Sequence, residues 1–343
     1  MTELLNTLYV QTQGAGLYLD HDAVRVAAPG QQGRQSLPLR RLDSIIAYGH
    51  VSVSAELLTR CAEDGRPVVW MTRSGRFLAR VEGPVHGNVL LRHAQHLAHA
   101  DPPRRLAIAR SCVAGKIQNS RQMLLRSARD AEPERQTELR KIAEDLAAIL
   151  QALPVVDGLD GLLGAEGNAA RLYYRGFGLL LRPRKGVPQF ELRTRRPPTD
   201  PVNAVLSFLY GLLRSSIHGS AEEVGLDPYV GFLHGLRPGK PALALDLMEE
   251  YRPVYADRLA LTMFNRRQLQ PDHFEDLPGG AVRLTEDGRK LVITEWQQSR
   301  LREWPHRLLG RAVPAALLPS VQARLLARHL RGELPSYLPW LVN

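Results

Sequence analysis

Two cysteines in 343 residues, Cys61 and Cys112, are too few for a disulfide framework or a cysteine-built zinc site. Each stands in a mostly helical-looking context and reads as an inert core residue. No run of about 18 uninterrupted apolar residues occurs, so nothing reads as a membrane-spanning helix. The start, Met1-Thr-Glu-Leu-Leu-Asn6, lacks the basic opening of a secretory signal; the expected place is the cytoplasm, with no membrane partner. A Walker loop, a dinucleotide fingerprint, a nucleophile elbow and a His-Glu-x-x-His motif are all missing, which removes the commonest signatures of nucleotide binding, acyl transfer and zinc proteolysis. Acid is also in short supply. The 35 Asp and Glu against 45 Lys and Arg leave a net charge of +10, an excess that favours a polyanionic partner, most naturally nucleic acid.

What is present suffices for a large core and two domains: 44% of the residues are hydrophobic. Residues 8 to 82 carry β-type enrichment at Leu8-Tyr-Val10, Leu17-Tyr-Leu19, Val24-Arg-Val26, Ser44-Ile-Ile46, Pro67 to Thr72 and Phe77 to Val81. Ser54 starts a helix through Cys61 that stops before Asp64-Gly65, and Arg73-Ser-Gly75-Arg76 suits a hairpin turn. Strand alternation ends at Gly83-Pro84-Val-His-Gly87. Helices are expected from Arg92 to Ala100, from Pro103 to about Arg129, from Glu132 to Leu153, and from Asp200-Pro201 through the apolar run to Ser216. Leu284-Thr-Glu-Asp-Gly288 reads as a turn or short hairpin, followed by Arg-rich helices and a proline-punctuated tail, Leu334 to Trp340, whose state the sequence leaves open. The fold class is α+β: a β-rich N-terminal domain (residues 1–83), a linker (84–90) and a larger all-α domain (91–343).

The chemistry concentrates in Phe232-Leu-His234-Gly-Leu-Arg-Pro-Gly-Lys-Pro-Ala-Leu-Ala-Leu-Asp246-Leu-Met-Glu249-Glu250-Tyr-Arg252-Pro253. On a helix Asp246, Glu249 and Glu250, three and four apart, share a face opposite Ala244, Leu247, Met248, Tyr251 and Tyr255. An imidazole and clustered carboxylates suit magnesium, and the nitrogen donor shifts the preference toward manganese. A solvated acidic face beside a helix-capping histidine is the other reading of these residues alone. Upstream, Gly164-Ala165-Glu166-Gly167 sets a glutamate among small residues that let another backbone approach; an acid placed for the helix dipole is the alternative. His93, His96 and His99 do not make a metal site, because His93 and His99 point roughly 120° apart around a helix. Basic residues gather in two places. Residues 171 to 196 hold eight Lys or Arg against Glu191, and residues 300 to 331 hold seven Arg against Glu303, either solubilising surface or a phosphate track beside the carboxylates.

In order along the chain, Gly164-Ala-Glu166-Gly-Asn-Ala-Ala-Arg-Leu-Tyr-Tyr174, Arg195-Arg-Pro-Pro-Thr-Asp-Pro-Val-Asn-Ala-Val-Leu-Ser-Phe-Leu-Tyr210, Gly231-Phe-Leu-His234, Asp246-Leu-Met-Glu249-Glu-Tyr-Arg-Pro253 and Gly279 to Lys290 resemble the CRISPR-associated protein one family, most nearly its subtype I-C members. Ala114-Gly-Lys116-Ile-Gln-Asn119 and the β-rich start resemble it more loosely. The resemblance implies a metal-dependent DNA endonuclease and integrase, in which the 3′-hydroxyl of a prespacer duplex attacks a phosphodiester at the end of a CRISPR repeat, and branched DNA is cut at the same site. It implies Glu166, His234 and Glu249 as ligands of Mg2+ or Mn2+, with Asp246 acting directly or through water. Glu250 is as eligible by geometry, so Glu249 rests on the resemblance. Arg171, Arg175, Arg193, Arg195 and Arg196 would hold phosphates. The resemblance also implies a homodimer, paired through the β-rich domain, and a small ferredoxin-like CRISPR-associated partner. A structure-selective DNase without an integration role and a noncatalytic DNA-binding scaffold are the competing functions.

Overall fold

Short alternating runs build one compact unit, Met1–His86, and long helical periods build the other, Gly87–Asn343. The computed structural model describes residues 7–30, 35–42, 44–72, 77–81, 83, 89–182 and 187–342. The expected turn at Arg73 to Arg76 and residues 84–88 of the expected linker lie outside them.

The first unit runs β1 (Thr7–Val10), β2 (Gly16–Asp20), β3 (Ala23–Ala27), β4 (Gln35–Pro38), β5 (Ser44–Tyr48), β6 (Ser52–Val53), α1 (Ala55–Glu63), β7 (Val68–Met71) and β8 (Phe77–Val81). One four-stranded sheet has the order β1-β5-β7-β8, parallel except for the antiparallel β8. The other has the order β4-β3-β2-β6. Alternation turns Leu17, Val24, Ile45 and Val68 into one core, which α1 closes with Leu57 and Cys61. The Ser54 side chain caps that helix by accepting from the Leu57 amide. The sequence gives little sign of β4 and β6, which are edge strands of four and two residues with polar positions.

The second unit runs α2 (Val89–Ala100), α3 (Pro102–Ala128), α4 (Pro133–Ala152), α5 (Gly158–Leu180), α6 (Pro201–Val224), α7 (Ala242–Leu247), α8 (Arg258–Asn265), β9 (Phe274–Leu277), β10 (Ala281–Leu284), α9 (Glu286–Arg300), β11 (Glu303–His306), β12 (Arg311–Pro314) and α10 (Leu318–Leu330). Helix α3 packs along α4 and α5, and α6 packs against α7 and α10. Capping sets several starts: Asp101 accepts from the Arg104 amide, and Asp200 accepts from the Asn203 amide ahead of Pro201. Two expectations change. Thr285 is the cap of α9, accepting from Gly288, and the hairpin precedes it as β9 and β10. Residues 300–331 are not continuous helix, because Pro305 and Gly310 (φ 61°) favour a β11–β12 hairpin before α10.

The tail is neither helical nor exposed along its length. Tyr337, Trp340 and Val342 are buried, and Trp340 stacks on Tyr251 with ring centroids 5.8 Å apart. Asn119, fully buried on α3, ties it down: its Nδ2 donates to the carbonyls of Glu250 (2.7 Å) and Trp340 (2.9 Å), and its Oδ1 accepts from the Val342 amide (2.9 Å). Replacing it leaves three buried backbone groups unpaired. Asn119→Ala is therefore expected to lower stability by on the order of 3 kcal/mol, read as a shifted urea midpoint with an unchanged slope.

Candidate active site

Asp246, Glu249 and Glu250 do not share a face. Helix α7 ends at Leu247, and after a turn the chain enters a wider π-type helix, Arg252–Asp257. Pro253 lacks the N–H that a continuing α-helix would send back to the carbonyl of Glu249. The three carboxylates consequently leave in three directions.

Asp246 turns back to the loop that carries His234. Its Oδ2 accepts from the amides of Phe232 (2.5 Å) and Leu233 (2.9 Å), and its Oδ1 accepts from the His234 amide (3.0 Å) and from the ring Nδ1 (2.6 Å). A carboxylate can only accept, so Nδ1 carries the proton of this hydrogen bond, and Nε2 is the nitrogen that bears the lone pair in the uncharged ring. Asp246 is thus the orienting partner of the histidine, with its lone pairs already engaged. Gly231 makes room for this: a methyl there would lie 2.6 Å from the carbonyl carbon of Ala242 and 2.7 Å from Asp246 Oδ2.

Glu250 turns away toward the tail, where it accepts from the Trp340 amide (2.9 Å) and the Tyr337 hydroxyl (3.2 Å). Burial pushes its carboxyl up to about 8, against the pull of these donors. Its partners are thus residues of the tail, whereas Lys116 and Arg252 pair with Glu249.

Glu249 meets Glu166. The ammonium of Lys116, from the middle of α3, pairs with Glu166 Oε1 on α5 and lies 2.7 Å from Glu249 Oε2, while Arg252 Nη2 lies 3.1 Å from Glu249 Oε1. Burial alone would raise the Glu249 carboxyl, yet Arg252 and then Lys116 outweigh it and hold the group below the usual carboxylate range. Burial likewise works against charge on Lys116, and Glu249 and Glu166 overcome it, so the ammonium is held above its ordinary value. Oε2 of Glu249 is buried and makes no hydrogen bond of good angle despite its nearness to Nζ. Among the described residues no three His, Cys, Asp or Glu side chains gather closely enough to hold a metal ion. What converges is a pair of carboxylates, Glu166 and Glu249, on one cation position; the His234 imidazole, paired with Asp246, is not gathered with them into a three-donor group. These donor types fit Mg2+ or Mn2+.

Some sequence expectations change here. Gly164 and Gly167 flank Glu166 without admitting another backbone, since a methyl at either meets nothing within 4 Å. Arg193 is not a free surface cation: its guanidinium donates to Asn203 Oδ1 (2.7 Å) and Ser207 Oγ (3.0 Å) and stands over the Tyr210 ring. Arg171, Arg175, Arg195 and Arg196 are exposed, Arg171 donating to Asn168 Oδ1. Lys116 and Arg252 were missed as site residues. The signal for Lys116 was a lysine in the middle of a long helix, between Gly115 and Ile117, and the signal for Arg252 was its place three residues after Glu249.

The family model for CRISPR associated protein Cas1 matches residues 8–298. The chain belongs to the Cas1 family. Among its relatives, the CRISPR-associated endonuclease Cas1 1 of Moorella thermoacetica is 48% identical over 98% of this chain and 98% of its own. The CRISPR-associated endonuclease Cas1 2 of Rhodospirillum rubrum is 48% identical over 99% of both. A solved Cas1 protein from Thermotoga maritima superposes with a TM-score of 0.81 at 23% identity, covering 96% of this chain and 97% of its own, so the Cas1 fold extends to the elements that carry the site. No described helix is long and apolar enough to cross a membrane.

The cradle around Asp246 gives a direct test. Gly231→Ala is expected to cost about 1–3 kcal/mol through overpacking, whereas Gly235→Ala, where a methyl meets nothing within 4 Å, leaves the melting temperature within about a degree of the parent. Thermal unfolding of both variants checks it, and equal melting temperatures would remove the argument for a tight cradle.

Proposed function

We propose that this Cas1 protein is a metal-dependent DNA endonuclease and integrase that inserts prespacer DNA into a CRISPR array. The observation that carries the reading is the convergence of Glu166 and Glu249, from separate elements, on one cation position. The close relatives named as CRISPR-associated endonucleases support it. Glu166, Glu249 and Nε2 of His234 would hold Mg2+ or Mn2+, which supplies Lewis acidity toward the oxygens of a scissile phosphate. Asp246 holds the imidazole in the tautomer that leaves Nε2 available. Arg252 braces Glu249 from the side away from Lys116. The prespacer 3′-oxygen forms its bond to phosphorus as another phosphorus–oxygen bond of the repeat breaks, so joining conserves the number of ester linkages; water in place of the 3′-hydroxyl gives cleavage of branched DNA.

Arg171, Arg175, Arg195 and Arg196 are the phosphate contacts of this reading, giving position and affinity without sequence information. Arg193 serves them indirectly, by fixing the loop ahead of α6. The β-rich unit pairs two copies into a homodimer, and a small ferredoxin-like CRISPR-associated protein completes the integrating complex in the cytoplasm. The run of motifs supports a reading of the chain as a subtype I-C member.

Glu166→Ala, His234→Ala and Glu249→Ala are each expected to reduce manganese-dependent strand transfer and nicking by at least about a hundredfold, in line with lost metal ligation. Prespacer and repeat duplexes, supplied with the partner protein, are scored for joined product on a denaturing gel. Cut but unjoined DNA would favour a structure-selective DNase, and binding without any turnover would favour a scaffold.

The phosphate track is checked separately by salt. Arg195→Ala and Arg196→Ala are each expected to lower the slope of log K against log salt by about one unit on unrelated duplexes. Unchanged slope and affinity in both would return this stretch to ordinary solvated surface.

A further inference from the structure

The buried lysine of the site has no part in the scheme above, and its setting assigns it one. Lys116 is only 7% exposed, although lysine is among the residues least often buried. It reaches its position from α3, and its ammonium meets both carboxylates of the cation position at once. The contact with Glu249 Oε2, at 2.7 Å without a hydrogen bond of good angle, is one of charge more than of directed bonding. We infer that Lys116 is a displaceable place-holder, filling the cation position between Glu166 and Glu249 when no divalent ion is bound and withdrawing when one enters. This inference rests on the metal reading of the same site.

Charge counting carries it. Glu166 and Glu249 are balanced by Lys116 and Arg252, two against two. A divalent ion added to that set would face both cations with two carboxylates in direct reach and the His234 imidazole, itself held by Asp246, for support, in a pocket that water screens poorly. One cation must leave. Arg252 is fixed: it stands 4.8 Å over the Tyr210 ring and opens the π-type helix. Lys116 carries a compact ammonium on a flexible four-carbon stem, the form of cation suited to moving. The way out lies on the Glu166 side, where the side chain is 20% exposed against 4% for Glu249. Until a metal arrives, the lysine keeps two carboxylates together that would otherwise repel. Its presence also lowers the affinity for the ion that replaces it.

The test measures Mn2+ binding directly, from the loss of the free-ion electron paramagnetic resonance signal as protein is added, with no DNA present. Lys116→Met keeps the length and removes the charge, and is expected to bind Mn2+ about tenfold more tightly than the parent while melting at a lower temperature in chelator. A packing role alone would weaken Mn2+ binding, because the site would loosen. Lys116→Arg keeps a charge that grips carboxylates through two parallel bonds, and is expected to bind Mn2+ at least about threefold more weakly. A folded Lys116→Met that binds Mn2+ no more tightly than the parent overturns the inference. Should that variant not fold, Lys116→Arg binding as tightly as the parent overturns it. Glu166→Gln and Glu249→Gln separate the two levels of the argument. Parent binding that both abolish, with Lys116→Met unchanged, sinks the place-holder alone. No Mn2+ binding by parent or Lys116→Met sinks the metal reading with it.

Discussion

Glu249 is a carboxylate with 3% of its surface exposed, and it can stay ionised there only because Lys116 and Arg252 stand on either side of it. Removing one partner of such a buried pair costs about 3–5 kcal/mol, since the remaining charge is left in a poor solvent. The arrangement around it follows from this demand. Lys116 ties α3 to Glu166 of α5, and Arg252 rests on Tyr210 of α6. The Tyr210 hydroxyl donates to Asp257 (2.6 Å), and so does that of Tyr173 (2.8 Å). Burial pushes the Asp257 carboxyl up to about 6, opposed by those two donors. One charge balance thus fixes three helices and the π-type turn relative to each other before any substrate is considered.

Most of the fold is legible because its punctuation is local. Ser54, Asp101, Asp200 and the prolines after the last two mark helix starts in the sequence and cap them in the structure. The strands with alternating Val, Leu and Ile are equally plain. The misread elements are those whose signal is local but ambiguous: Thr285-Glu-Asp-Gly serves as a helix cap where a turn was expected, and the Arg-rich stretch after Arg300 folds partly as a hairpin.

Residue type and spacing single out Glu166, His234 and the three carboxylates Asp246, Glu249 and Glu250 as candidates, the resemblance prefers Glu249 to Glu250, and neither tells what each side chain meets. Three neighbouring carboxylates look alike in sequence, and their roles separate only by what surrounds them. Asp246 takes three backbone amides and an imidazole, Glu249 two cations, and Glu250 a tryptophan amide and a tyrosine hydroxyl. Apart from Arg252, three residues after Glu249, those surroundings come from residues 12 to 133 positions away, which no periodicity within the segment encodes. Lys116 stands out in sequence only as a lysine in mid-helix, and what it pairs with does not, because its carboxylate partners are remote in the chain. Arg193 shows the converse, a basic residue whose composition suggested a surface and whose neighbours, Asn203 and Ser207, draw it inward.

The clamp between Asn119, Glu250 and the segment around Trp340 gives the molecule an order of assembly in time. Trp340 follows Glu250 by 90 positions and Asn119 by 221. A ribosome adding about 5–20 residues each second therefore delivers Asn119 and Glu250 well before the amide that satisfies the second of them. During that interval of roughly 5–18 seconds the helices that carry the carboxylates are complete as chain yet open at the back, with a glutamate that must stay wet. The wall behind the site is closed by late-made residues, so the nascent helical unit cannot bury Glu250 in its final form before they emerge.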